Sequence, residues 1–157
     1  MDFTEFDVIR EPRGEKYAEF LRYLARFAES FGLVYRTDMR RAHEGYLLVR
    51  ESLSVDAVSS TLVKEWPGTV ARDAHELVMY SVGHRSIEAL LRLSAGLYDW
   101  SETRRPADLH FVRPDGSLLF GCCGSERFAW LKLTGDEVAK CPSEVMRLLT
   151  KRRMPTE

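Results

Sequence analysis

No apolar run in this chain of 157 residues approaches the roughly 20 that cross a bilayer. The opening stretch, with Asp2, Glu5 and Asp7, is acidic where a secretion signal would be basic and then apolar. No membrane association is expected, and the protein is read as cytoplasmic. Cysteine is scarce: the three present, two of them adjacent, are an odd number that does not build a disulfide framework, which agrees with free thiols in a reducing compartment. Charge of one sign is missing as well. With 23 basic against 24 acidic side chains there is no global field of the kind that draws a protein to nucleic acid, and nucleic acid is disfavoured as a partner.

Motifs for bound groups are also absent. The histidines and cysteines show neither Cys-x-x-Cys nor His-x-x-x-His spacing, so no metal site is expected. The stretch from Gly121 to Gly124 lacks the lysine and the helix start of a phosphate-binding loop, and no cofactor is expected. Internal repeats and low-complexity segments do not occur.

What is present is 45% apolar residues in a length suited to one sizeable core, which predicts a single globular domain over residues 1–157. Tyr17, Phe20, Leu21, Leu24, Phe27 and Phe31 recur at helical spacing, and Gly32 supplies a stop, predicting an amphipathic helix from Glu15 to Phe31. Leu33 to Arg36 and Tyr46 to Val49 read as short strands across the polar loop from Thr37 to Glu44. Ser54 then precedes a helical stretch, Val55 to Lys64, ended by Trp66, Pro67 and Gly68. His75 to Val82 reads as a strand and Ser86 to Leu93 as a short helix, followed by a loop from Gly96 to Pro106.

The clearest hairpin signal is Asp108 to Arg113, the turn Pro114, Asp115 and Gly116, and Ser117 to Phe120, with a further strand from Arg127 to Leu133. Thr134 and Glu137 match a capping box. A helix is expected to start there, to break at Pro142 and to resume from Ser143 to about Lys151, leaving about 151–157 as a frayed tail. Hairpin-joined strands with helices between groups of them predict an α+β fold, a mainly antiparallel sheet with helices packed on it.

Three sets of residues are candidates for function. A three-residue loop in the hairpin would pair Arg113 with Ser117 and set His110 opposite Phe120, making Cys122 a diagonal neighbour of His110 on one sheet face. Such a pair would generate a thiolate, with Glu126 or Asp108 as the orienting carboxylate, and the adjacent Cys122 and Cys123 would suit a thiol redox sensor. The plainer reading has more support: Cys122 packs as a small apolar residue among Val112, Leu118 and Phe120.

A basic group, Arg147, Lys151, Arg152 and Arg153, would touch phosphates or simply stabilise a helix C-terminus. Finally, two loops carry Trp66 and the set Tyr98, Asp99, Trp100, Arg104 and Arg105. These are the side-chain types that most often supply binding energy at protein interfaces, unless Trp66 and Trp100 cap the core where the loops enter the sheet.

Glu65 to Thr69, Gly96 to Trp100, Pro106 to Leu109 with Phe111, Arg113 to Gly116 and Ser125 to Leu131 together resemble a group of small bacterial proteins of about this length. The resemblance spans about Thr61 to Glu137. No catalytic role attaches to that group, whose members are similar in size and style to single-domain immunity proteins that neutralise a toxin by binding it. The run from Gly121 to Gly124 departs from its pattern, where a plain strand end is usual. The resemblance therefore implies a non-enzymatic, cytoplasmic protein-binding module whose partner is a protein such as a toxin, with the aromatic loops as its contact surface. A small cysteine-dependent enzyme or thiol sensor using Cys122 or Cys123 with His110 and Glu126 is the alternative.

Overall fold

The computed structural model describes residues 2–38, 43–101 and 104–153. Its elements are, in chain order, Thr4–Val8 (β1), Glu15–Ala25 (α1), Ser30–Tyr35 (β2), His43–Leu53 (α2), Ala57–Trp66 (β3), Thr69–Ser81 (β4) and His84–Leu93 (α3). Ala107–Val112 (β5), Leu118–Cys123 (β6), Phe128–Leu133 (β7), Gly135–Ala139 (α4), Ser143–Met146 (α5) and Leu149–Lys151 (β8) follow. Among the described residues the eight strands form one sheet in the order β3, β4, β2, β5, β6, β7, β1, β8, and every neighbouring pair is antiparallel. The α+β class read from the sequence is the fold observed, and no described helix is long and apolar enough to cross a membrane.

One row of cross-strand neighbours explains how the core is organised. Tyr80 pairs with Phe31, Phe31 with Phe111, Phe111 with Phe120, Phe120 with Leu131 and Leu131 with Phe6. Side chains directly opposite on adjacent strands touch, so the row is a continuous apolar band across six strands. Phe31 stacks on Tyr80 at 5.4 Å between centroids, and Phe20 of α1 meets Phe120 edge-on at the same separation. Helices α1, α2 and α3 close this face with Tyr17, Leu21, Leu24, Val49, Leu53 and Leu90, all buried.

Four predicted elements need correction. Residues 46–49 are not a strand but part of α2, because Tyr46, Val49 and Leu53 recur at helical spacing and face the core while Leu47 and Leu48 point outward. The stretch from Val55 to Lys64 is not a helix: it is a 3-10 turn and then β3, as the β-branched Val58, Thr61 and Val63 favour. Helix α1 ends at Ala25, and Phe31 and Gly32 lie inside β2. At the C-terminal end α5 stops at Met146 and β8 pairs with β1, so Arg152 is no frayed residue. It donates to Asp7 at 2.6 Å and to Glu5 at 2.6 Å. Residues 39–42 of the expected polar loop and 154–157 of the expected tail lie outside the described residues.

The capping box forms: Thr134 Oγ1 accepts from the Glu137 amide at 3.2 Å, and the Thr134 amide donates to Glu137 Oε1 at 2.8 Å. The Glu137 carboxylate also receives the buried Arg113 guanidinium at 2.9 and 2.5 Å, while Arg113 donates to the Leu118 carbonyl at 2.8 Å. This pair joins the β5–β6 turn to the start of α4. Burial disfavours the charged carboxylate, but the hydrogen bonds from Arg113 and Thr134 outweigh it and hold Glu137 below the ordinary 4.5. A depressed carboxyl stabilises the fold fully above its unfolded value and loses that contribution as pH falls through its folded one. Urea unfolding at stepped pH is expected to show stability declining below pH 4.5. Glu137→Gln should remove part of that slope and cost about 3 kcal/mol at neutral pH, because Arg113 is left buried without its counter-charge.

Candidate functional site

The second face of the sheet is covered by a different device. The tip of the β3–β4 hairpin, Trp66 to Thr69, folds back over β5, β6 and β7. Trp66 Nε1 donates to Asp108 Oδ2 at 2.7 Å, and the Gly124 amide donates to Asp108 Oδ1 at 3.0 Å. The Asp108 backbone adopts φ +60°, at the place where the β2–β5 register slips by one residue, so it is the bulge residue that re-aims this carboxylate. Gly68 takes φ +83°, and a Cβ there would fall 2.6 Å from the Trp130 ring and 2.8 Å from Cys123 Sγ, so only glycine allows the tip to reach the sheet.

The aromatic loops are therefore interior structure. Trp66, Tyr98 and Trp100 are all buried. Trp100 Nε1 donates to the Tyr17 hydroxyl at 2.7 Å, and its complete burial leaves it no face for a partner. Burial, followed by the nearby thiol and carboxylate, pushes the Tyr98 hydroxyl up to about 12. Asp99 is held by Arg13 at 3.4 Å and by the Ser94 hydroxyl at 3.2 Å, and Arg105 donates to the Leu93 carbonyl at 2.6 Å. Of the six predicted contact residues only Arg104 is exposed. The indoles here satisfy their N–H groups internally, so Trp66 and Trp100 cap the core, the second of the two readings of these loops, rather than facing a partner.

The thiol reading is corrected by register. Arg113 and Ser117 do pair, the Arg113 amide donating to the Ser117 carbonyl at 2.9 Å, but Leu119 is an extra residue in β6, so Phe120 faces Phe111 rather than His110. A one-residue slip moves every later side chain to the other face. Cys122 thus joins the core under the helices, while His110 lies on the second face with Nδ1 2.9 Å from the Asp108 carbonyl. Glu126 sits in the exposed 3-10 turn beyond Cys123. Burial pushes both thiols up and holds His110 in its neutral form. The C-terminal basic group is likewise dispersed, with Arg147 bound to Glu144 at 2.8 Å and Arg152 to Asp7 and Glu5.

The exposed chemistry lies elsewhere. Nine large apolar side chains are exposed among the described residues, and six of them, Leu47, Leu48, Val55, Val58, Leu62 and Val70, fall between α2 and the hairpin tip. Arg50 and Glu76 hold this region together through paired contacts, one at 3.2 Å. Ser60 Oγ donates to Glu76 at 2.5 Å, and the Arg50 guanidinium stacks 3.9 Å from the Tyr35 ring centroid. Hydrogen bonds from Arg50, chiefly, keep Glu76 below the usual carboxylate range.

Beside this pair opens a cleft of about 370 Å³ lined by Tyr35, Tyr46, Leu47, Arg50 and Glu76. Its guanidinium and carboxylate are matched to each other. The arrangement positions α2 against β4, and Arg36, Thr37 and His43 complete the lining of the cleft. Leu47 and Leu48 project between the exposed Glu44 and Glu51, giving an apolar centre with acidic ends. Only the outward phase of α2 carried this signal in the sequence, and reading Tyr46 to Val49 as a strand hid it.

The fold and this surface define a single-sheet α+β protein with a nonpolar exposed flank. Comparison of the chain with family models, curated proteins and solved structures finds no match.

Two measurements follow from this geometry. Trp66→Phe removes the donor to Asp108 Oδ2 and part of the buried ring system, and urea unfolding is expected to show a loss of at least about 1 kcal/mol. Alkylation of the native protein at neutral pH is expected to leave Cys122 unmodified until the protein unfolds. Labelling at the rate of an exposed thiol would contradict its place in the core.

Proposed function

We propose that this protein is a non-enzymatic, cytoplasmic binding module for another protein, of the immunity type that neutralises a toxin by occupying its surface. The observation that carries this reading is the concentration of exposed aliphatic side chains between Leu47 and Val70. Exposed apolar clusters rimmed by polar groups mark protein-binding surfaces. The partner-facing part is the outer side of α2, where Leu47 is 47% and Leu48 57% exposed between Glu44 and Glu51. A partner surface with an apolar centre and a basic rim fits this pattern, the acidic ends steering its approach and the leucines supplying affinity.

The test compares tagged wild-type protein with the variant Leu47→Lys, Leu48→Lys, both expressed in the native host and purified at physiological salt. One stoichiometric protein partner is expected with the wild type, and at least about a tenfold weaker association with the variant, a difference of about 1.4 kcal/mol. If the partner arrests growth when produced alone, co-production of the wild type but not the variant should restore growth. Recovery of the wild type without any partner, or equal capture by both proteins, would overturn the reading.

A further inference from the structure

The β3–β4 hairpin is not one continuous ladder. Its strands pair residue by residue from Ser59 opposite Met79 to Val63 opposite His75, and pairing resumes only at the tip, with Glu65 opposite Val70 and Trp66 opposite Thr69. Between these stretches the four residues from Ala71 to Ala74 of β4 stand against the single residue Lys64 of β3. A bulge bends the strand that carries it and interrupts the ladder, so bonds on one side of the break do not hold the other. The ladder side is fixed independently of the tip: the Thr37 hydroxyl donates to the Ala74 carbonyl at 3.3 Å, and the Thr37 amide donates to His75 Nδ1 at 3.1 Å. Lys64, Arg72 and Asp73, at the bend itself, are exposed.

Beyond the break the tip rests on the second face through Trp66, Gly68 and Thr69. Trp66 donates to Asp108 Oδ2 at 2.7 Å, the Cys123 thiol donates to the Gly68 carbonyl at 3.6 Å, and the Thr69 hydroxyl lies 3.7 Å from the same sulfur. Val70, next along the tip, is 79% exposed. We propose that residues 64–72 form a strap that opens about this bulge as a unit, baring the sheet over Cys123 and Trp130 while the main ladder and the helical face stay folded. Trp66 is its latch. When the indole leaves, the Gly124 amide still serves Asp108 Oδ1 and water reaches Oδ2, so opening strands no buried charge. A segment held by one side chain and a short run of contacts opens at a lower free energy than the whole domain unfolds. Cys122, on the other side of the same strand, belongs to the core under the helices and is not reached by this motion. The face gated by the strap is separate from the outer side of α2, and the device does not depend on the binding proposed there.

Thiol labelling of the folded full chain, mapped by mass spectrometry over a series of low urea concentrations, reads the motion. Each rate is referred to that of the same cysteine in the unfolded chain. Cys123 is expected to label at least about tenfold faster than Cys122 and with little dependence on urea, because a local opening exposes little surface; Cys122 labelling should rise steeply with urea, as for global unfolding. Trp66→Phe should speed the labelling of Cys123 at least about fivefold without raising its urea dependence. Thr69→Cys sets a second thiol against Cys123, and after mild oxidation joins the two, amide exchange over residues 64–72 should slow at least about tenfold relative to the reduced form, with α2 unchanged. Equal protection of Cys122 and Cys123 with equal urea dependence, Cys123 labelling indifferent to Trp66→Phe, or exchange at the tip that the disulfide does not slow would each overturn the proposal.

Discussion

The carboxylate of Asp108 fixes where the β3–β4 hairpin ends. It accepts from the Trp66 indole and from the Gly124 amide on the second face of the sheet, and it does so from a bulge residue held at positive φ. A carboxylate in a regular strand register would not be aimed this way, so the strain of one non-glycine residue in the left-handed region is the condition for the contact. With the tip anchored, Gly68 can lie against Trp130 and Cys123, and the hairpin tip covers the second face over β5, β6 and β7.

Anchoring one end of the hairpin decides the character of the other. At the tip the Trp66 side chain is buried, whereas Ala57 to Leu62 runs along the sheet edge in solvent. The Arg50 and Glu76 pair ties α2 to β4 beside that edge, so the exposed side chains of α2 and β3 form one flank of the molecule. The aromatic residues that the sequence offers either to a partner or to the core are consumed in building the interior. The Trp66 and Trp100 indoles donate to internal acceptors and the Tyr98 ring lies under the Arg127 guanidinium, while most of the exposed large apolar side chains are aliphatic.

The architecture class, the hairpin from Asp108 to Phe120, α3 and the capping box at Thr134 were legible because each rests on local chemistry: turn residues, helical periodicity and a reciprocal cap. The segment from Tyr46 to Lys64 was not. Its helix carries outward leucines and its strand carries valines and a leucine at near-helical spacing, so local pattern and tertiary placement disagree there. The pairing of Cys122 with His110 fails for a related reason, while the plainer reading of Cys122 as a small core residue matches its place. One extra residue, Leu119, moves Cys122 away from His110, and a bulge of that kind leaves no mark in composition or spacing. The disagreement over 46–64 coincides with the exposed flank, as expected where sequence serves a surface rather than the core.

The most direct test of this description is amide hydrogen exchange on the protein alone and saturated with its captured partner. Slowed exchange confined to α2, with the loops around Trp66 and from Gly96 to Pro106 unchanged, is the expected result. Protection in those aromatic loops with α2 unaffected would contradict it and return the binding surface to the place the sequence alone suggested.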